Sequence, residues 1–204
     1  FTIIHYALVQ NRVLKWNIIF SSVMGTATLT MAWFVQPYLV FISIPLAYYA
    51  VIIPVLNITT GITAMHAHRL EKKLGMTRTI FFIAVSIGCG YVWLGFFHTV
   101  WGIMFLCLFY VFRGIATPVL RNYINEITPS EIRATVLSVR SLAIRLSFVF
   151  VGPVIGWQAD ISGVPFTLYV SGGLFLVAGI WAALMLVREQ RCKDDLPHLA
   201  DARV

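Results

Sequence analysis

The chain has 204 residues, of which 59% are hydrophobic and 11% charged, with a mean hydropathy of +0.85. A soluble domain carries about 45–50% apolar and 25% charged residues, so this composition is that of a membrane protein and excludes a disordered chain, while 14 Gly and 3 Cys exclude a collagen and a disulfide scaffold. The net charge of +7 reads as topology and attraction to anionic lipid, and no nucleic-acid partner is expected.

The chain opens at Phe1 with neither an initiator Met nor a signal peptide, which suggests a fragment. Residues 1–15 mix apolar side chains with His5, Gln10, Asn11 and Arg12 and fall short of a span; an interfacial lead-in on the cytoplasmic surface and a plain linker both fit. From 16 to 68 there are 53 residues with no Asp, Glu, Lys or Arg, and a spanning helix needs roughly 20. Two spans fit, Trp16 to Val35 and Leu46 to Met65, separated by Gln36-Pro37 and Pro45. Residues 79–120 as one helix would reach about 63 Å, roughly twice the hydrocarbon thickness. They therefore fold back at His98-Thr99 into span three, Thr79 to Phe97, and span four, Val100 to Leu120. Span five is Thr135 to Trp157, span six is Phe166 to Val187, and a polar tail covers 189–204. The expected fold class is an all-α membrane protein with six transmembrane helices, its bundle occupying residues 16–188.

Charge then orients the spans. Arg12, Lys15, Arg69, Lys72, Lys73, Arg78, Arg121, Arg133 and the basic residues of the tail all fall on one side, while the three opposite loops carry no Lys or Arg. By the positive-inside rule both termini are cytoplasmic, in a plasma or bacterial inner membrane. Cys89 and Cys107 lie in spans and Cys192 in the tail, so no disulfide is expected.

Polar groups inside a membrane are expensive and mark function first. Arg145 lies about 11 residues, roughly 16 Å, into span five, close to the bilayer midplane. Ser138, Ser141, Phe148 and Gly152 share its helical stripe. Arg113 lies about seven residues, some 10 Å, from the cytoplasmic end of span four, with Thr117 and Arg121 on the same face. Either arginine suits a hydrated pathway that attracts an anionic group, or a structural role capping carbonyls and locking helices. No Asp or Glu lies within any predicted span, so a carboxylate proton relay is not expected there. Asn57, Gly61, Ala64 and His68 recur at steps of four, three and four residues on span two, as a pore wall or a packing stripe. Gly152, Pro153 and Gly156 imply close helix packing with a bend, and as a further step a hinge. His66 and His68 are two apart and so on different helix faces, which argues against a shared metal. Spans three and six hold no charge and look like lipid-facing supports.

The order of features resembles the C-terminal six-helix half of a major facilitator superfamily transporter. Ala64-Met65-His66-Ala67-His68-Arg69-Leu70-Glu71-Lys72-Lys73 falls where that family repeats its cytoplasmic signature G-x-L-A-D-R-x-G-R-R. Ala67, Arg69, Lys72 and Lys73 agree with it; Ala64, His66, His68 and Glu71 depart from it. Ile127 to Thr135, with Pro129 and Arg133, looks like the family's P-x-x-x-R loop, and Gly152-Pro153, Gly156 and Asp160 are similar to its G-P-x-x-G-x-x-x-D ending. The likeness covers residues 16 to 188.

The resemblance implies a secondary transporter in which spans one, two, four and five line a central cavity and the bundle rocks against a partner, either a missing N-terminal six-helix half or a second copy. It places Arg145, Arg113, Asn57, Ser141 and Thr117 toward substrate or cavity, and makes Arg69, Lys72, Lys73, Glu131 and Arg133 a cytoplasmic gate. Because those helices are largely aromatic and aliphatic, export of a drug or metabolite is the first expectation. Import of an anionic solute by symport, or a non-transporting subunit or receptor, is the alternative. No enzymatic Ser/His pair or metal cluster stands at usable spacing, so no enzyme, cofactor or metal is expected, and the partners are the lipid bilayer and a small-molecule substrate.

Overall fold

A computed structural model describes residues 11–201, with side chains over 11–192. Helix α1 (Arg12–Phe41) is followed by a 3-10 turn (Leu46–Tyr48), α2 (Tyr49–Leu74), α3 (Met76–Phe96), α4 (Gly102–Ile127), α5 (Arg133–Ser162) and α6 (Val164–Asp201), with no strand among the described residues. Six helices are long and apolar enough to cross a membrane, so the fold is the expected all-α, six-span one. Of the lead-in expected at residues 1–15, residues 1–10 lie outside the described residues and Arg12 to Lys15 belong to the first turn of α1.

Each predicted span coincides with a helix, and the helices overrun the predictions. At 30 residues each, α1 and α5 reach about 45 Å, past a hydrocarbon core of about 30 Å. Pro37 does not stop α1. The chain continues helical to Phe41 and breaks only before Pro45, because a proline near a helix end forfeits a single N–H bond. Helix α4 runs on to Ile127, and α6 runs to Asp201, so residues 189–201, expected as a loose tail, are helical. These overruns carry Glu71, Glu126 and Asp160 into helix end turns, where the predicted spans held no acid.

Two joints are nearly identical. Gly75 joins α2 to α3 with φ 75° and ψ 163°, and Gly163 joins α5 to α6 with φ 81° and ψ 161°. A Cβ is disfavoured at such positive φ, which is why glycine stands at both. In each case the hydroxyl four residues on donates to the glycine carbonyl, Thr79 at 2.8 Å and Thr167 at 2.9 Å, and caps the next helix's first turn.

The core gathers around α1, whose Phe20, Met24, Met31 and Tyr38 are fully buried. Tyr91 of α3 ties it together: its hydroxyl donates to the Ala27 carbonyl at 2.6 Å, and its ring meets Phe109 of α4 edge-on at 5.4 Å and Phe175 of α6 at 5.5 Å. Helix α3 packs most closely on α6, and α2 on α4. The uncharged third and sixth spans are thus lipid-facing only on their outer sides, through Trp93, Phe96, Val177 and Trp181; their inner sides make the tightest pairing in the bundle. Helices α2 and α5 bury the least: Tyr49, Leu56 and Ala67 on one, Val136, Arg140 and Ile155 on the other.

Candidate functional site

Helix α5 has three unlike faces. Inward it lies on α1, where small residues admit it: the Thr26 hydroxyl donates to the Ile144 carbonyl at 3.4 Å, and a Cβ on Gly25 would strike the Ile144 side chain. Outward it carries exposed Leu146, Phe150 and Val154. Toward α4 it leaves an open cleft of about 650 Å³, a volume within the range of small-molecule sites.

The polar wall of that cleft is Thr117 and Arg121 from α4 with Ser138, Arg140, Ser141 and Arg145 from α5. Arg140 stands about 10 Å and Arg145 about 18 Å along the axis from the start of α5, so the cleft runs from the basic end of the bundle to mid-membrane. No acid pairs with any of the three arginines among the described residues, where the one ion pair is His68 to Glu71 at 3.5 Å. Arg145 is exposed and makes no hydrogen bond among the described residues. A lipid-facing Arg at that depth costs about 2.5–3.5 kcal/mol on insertion scales, so this face belongs to water, solute or another protein surface.

Of the residues singled out in the sequence, Arg145, Ser141 and Thr117 meet in this cleft. Arg113 and Asn57 do not. Because α4 extends to Ile127, Arg113 lies 14 residues from that end, about 21 Å and near mid-helix rather than close to an interface. Its guanidinium sits over the Tyr110 ring at 5.2 Å, a cation–π contact that gives it a structural partner. The Asn57 side chain is exposed on α2 and donates to the Ile53 carbonyl of its own helix at 3.0 Å.

At the basic end Arg69, Lys72, Lys73 and Glu131 are exposed, whereas Arg133 is half-buried and donates from Nη2 to the Thr128 carbonyl at 3.3 Å, bracing the α4–α5 turn. Gly152, Pro153 and Gly156 are expected to pack closely; within this bundle a Cβ on Gly156 would meet nothing within 4 Å. At Gly152 the neighbour is Phe148 of the same helix, 3.0 Å away. Gly152 and Gly156 instead line a second pocket of about 300 Å³ between α1 and α5, with Thr30, Trp33, Phe148 and Asp160.

Arg140 is the functional candidate that sequence reasoning missed. It is only 8% exposed, and its Nε donates to the Ser21 hydroxyl of α1, across 119 residues of sequence. The available signal was its place five residues before Arg145; the partner that buries it was not visible locally.

Six helices long and apolar enough to cross a membrane, two of them flanking a cation-lined cleft, define a polytopic membrane protein. Residues 7–202 match the Major Facilitator Superfamily, and the chain belongs to that family of membrane transporters, its six helices consistent with one half of such a protein. Comparisons with curated proteins and with solved structures gave no match.

Proposed function

We propose that this bundle is one of two that rock about a central site in a secondary transporter, and that the solute is a small anion held in the α4–α5 cleft. One observation carries the reading: Arg121, Arg140 and Arg145 converge on a single open cleft, and no acid among the described residues compensates them. Guanidinium groups in a partly dry site recognise carboxylate or phosphate by charge-assisted hydrogen bonds. Export of a drug or apolar metabolite draws support from Leu137 and Leu142 on the same wall. Those two side chains leave three cations unanswered, which is why the anionic solute, the alternative in the sequence, is preferred.

The second bundle, a preceding six-helix half or another copy, covers the open faces of α2 and α5. With the basic end at the cytoplasm, Arg69, Lys72, Lys73 and Glu131 form the rim that meets it in one state and parts from it in the other, while Arg133 braces the turn behind them. The test is flux in proteoliposomes made with the full-length protein. Anions are expected to be moved and neutral or cationic analogues of equal size are not. Equal movement of all three removes the anion reading, and no flux of any solute favours a non-transporting subunit.

A further inference from the structure

The three cations of the cleft are held differently, and the difference constrains the shape of the anion. Arg140 is buried, and its Nε is tied to Ser21 of α1. A guanidinium presents five donors in one rigid plane, so fixing Nε also fixes the direction of the four donors on the two Nη atoms. Neither Nη atom makes a hydrogen bond or is a buried unpartnered atom among the described residues, and the side chain lines the cleft, so the free fork opens into it.

Arg145 stands five residues further on, about 7.5 Å along the axis and well around the helix from Arg140. It is exposed and untethered. Arg121 lines the same cleft from α4. Because Arg140 is held to the α1 side, it cannot swing across to share one small anion with Arg145 unless it gives up Ser21. Cations held apart call for negative groups held apart. Of the hydroxyls on the same wall, Thr117 and Ser138 donate to the Arg113 and Ala134 carbonyls of their own helices at 3.1 and 3.0 Å, which leaves Ser141 to donate to a carboxylate oxygen.

Resting on the anion reading above, we propose that the solute is a small organic dianion with carboxylates on separate carbons, one taken bidentately by the Arg140 fork and the other by Arg145, with Arg121 adding positive charge from the facing wall. Ser21 is then a positioning residue: it aims Arg140 without touching the solute. A lone phosphate or a monocarboxylate fills one fork and leaves the other cations bare, so the cleft discriminates by charge separation as well as by charge.

The test uses the full-length purified protein, with binding followed by thermal stabilisation and uptake followed in proteoliposomes. The probes are the dicarboxylates succinate, glutarate and adipate against butyrate and inorganic phosphate. At least one dicarboxylate is expected to bind at least tenfold more tightly than butyrate or phosphate, and Arg145→Ala is expected to erase that preference. Ser21→Ala is expected to raise KM for the preferred dicarboxylate about fivefold with kcat within twofold, and Ser21→Thr to restore it; a merely structural Ser21 would lower the melting temperature and leave the dicarboxylate preference and KM alone. Butyrate or phosphate binding as tightly as every dicarboxylate overturns the dianion proposal and leaves the anion reading standing. No stabilisation or uptake with any probe overturns both.

Discussion

The α3–α6 pair and the α4–α5 pair are built from the same apolar alphabet and end in opposite conditions. Between α3 and α6 glycines bring backbones together: a Cβ on Gly88 would lie 2.7 Å from the Leu176 Cβ, and one on Gly172 would lie 3.1 Å from the Gly88 carbonyl oxygen. Between α4 and α5 the helices stand off and leave a cleft walled by guanidinium and hydroxyl groups. Without a hydrophobic force between helices in lipid, close packing is what holds a pair together. The closest packing in the bundle is therefore between α3 and α6, while α4 and α5 leave the space that the proposed solute would occupy.

Substitutions on the two sides should separate these roles. The largest effect is expected at Arg145. Hydrogen bonds to charged groups are worth about 1.5–3 kcal/mol, so Arg145→Ala should lower solute flux by roughly 10- to 100-fold while the amount of inserted protein and its melting temperature stay near wild type. Normal flux through a well-folded variant would end the assignment of this cleft.

Next comes the packed pair. Gly172→Leu would drive a side chain into the Tyr91 Cβ and the Val92 Cγ2, each 2.9 Å from the new Cβ, and should destabilise the protein by about 1–3 kcal/mol, read as an earlier melt in detergent. Gly156→Ala, where the added methyl meets nothing within 4 Å, is the internal control and should hold or gain up to about 1 kcal/mol from helix propensity. If both variants melt alike, the contrast in packing is lost.

Tyr91→Phe removes one hydrogen bond, to the Ala27 carbonyl, and leaves that acceptor to its own helix; a loss of about 1 kcal/mol with flux preserved is expected. The smallest effect belongs to Asn57→Ala, whose amide is already satisfied within α2, with flux expected to change less than about twofold. A tenfold loss there would extend the binding surface onto α2 and redraw the boundary between site and support.

Much of this was legible in the linear chain, and for a definite reason. Spans are set by the cost of unpaired backbone and charge in hydrocarbon, a cost each segment bears by itself. Hence the helix count, the turn near His98, the sidedness of the basic residues and the isolation of Arg145 all follow from local hydropathy. Helix ends were less legible, because Pro37 and the segments beyond Leu120 and Val187 stay helical where nothing forces a break. The sharing of one wall by Arg145, Ser141 and Thr117 followed from helical spacing and from the family's choice of cavity helices. The exclusion of Arg113 and Asn57 did not, since each is held by a neighbour, a tyrosine ring three residues away or a carbonyl four residues away, that sequence patterning treats as mere proximity.

The amino-acid sequence by itself determined that six apolar helices cross the membrane, that the cations gather at one end, and that one arginine is stranded in the middle of the fifth span. Only the tertiary structure decided which helices close on one another and which stay apart. It also decided that Arg140 is buried on Ser21 while its fork stays open to the cleft. Solvation is a property of each segment, whereas the gap between α4 and α5 depends on how separate helices pack, and the aim of Arg140 on a side-chain contact with Ser21, 119 positions away.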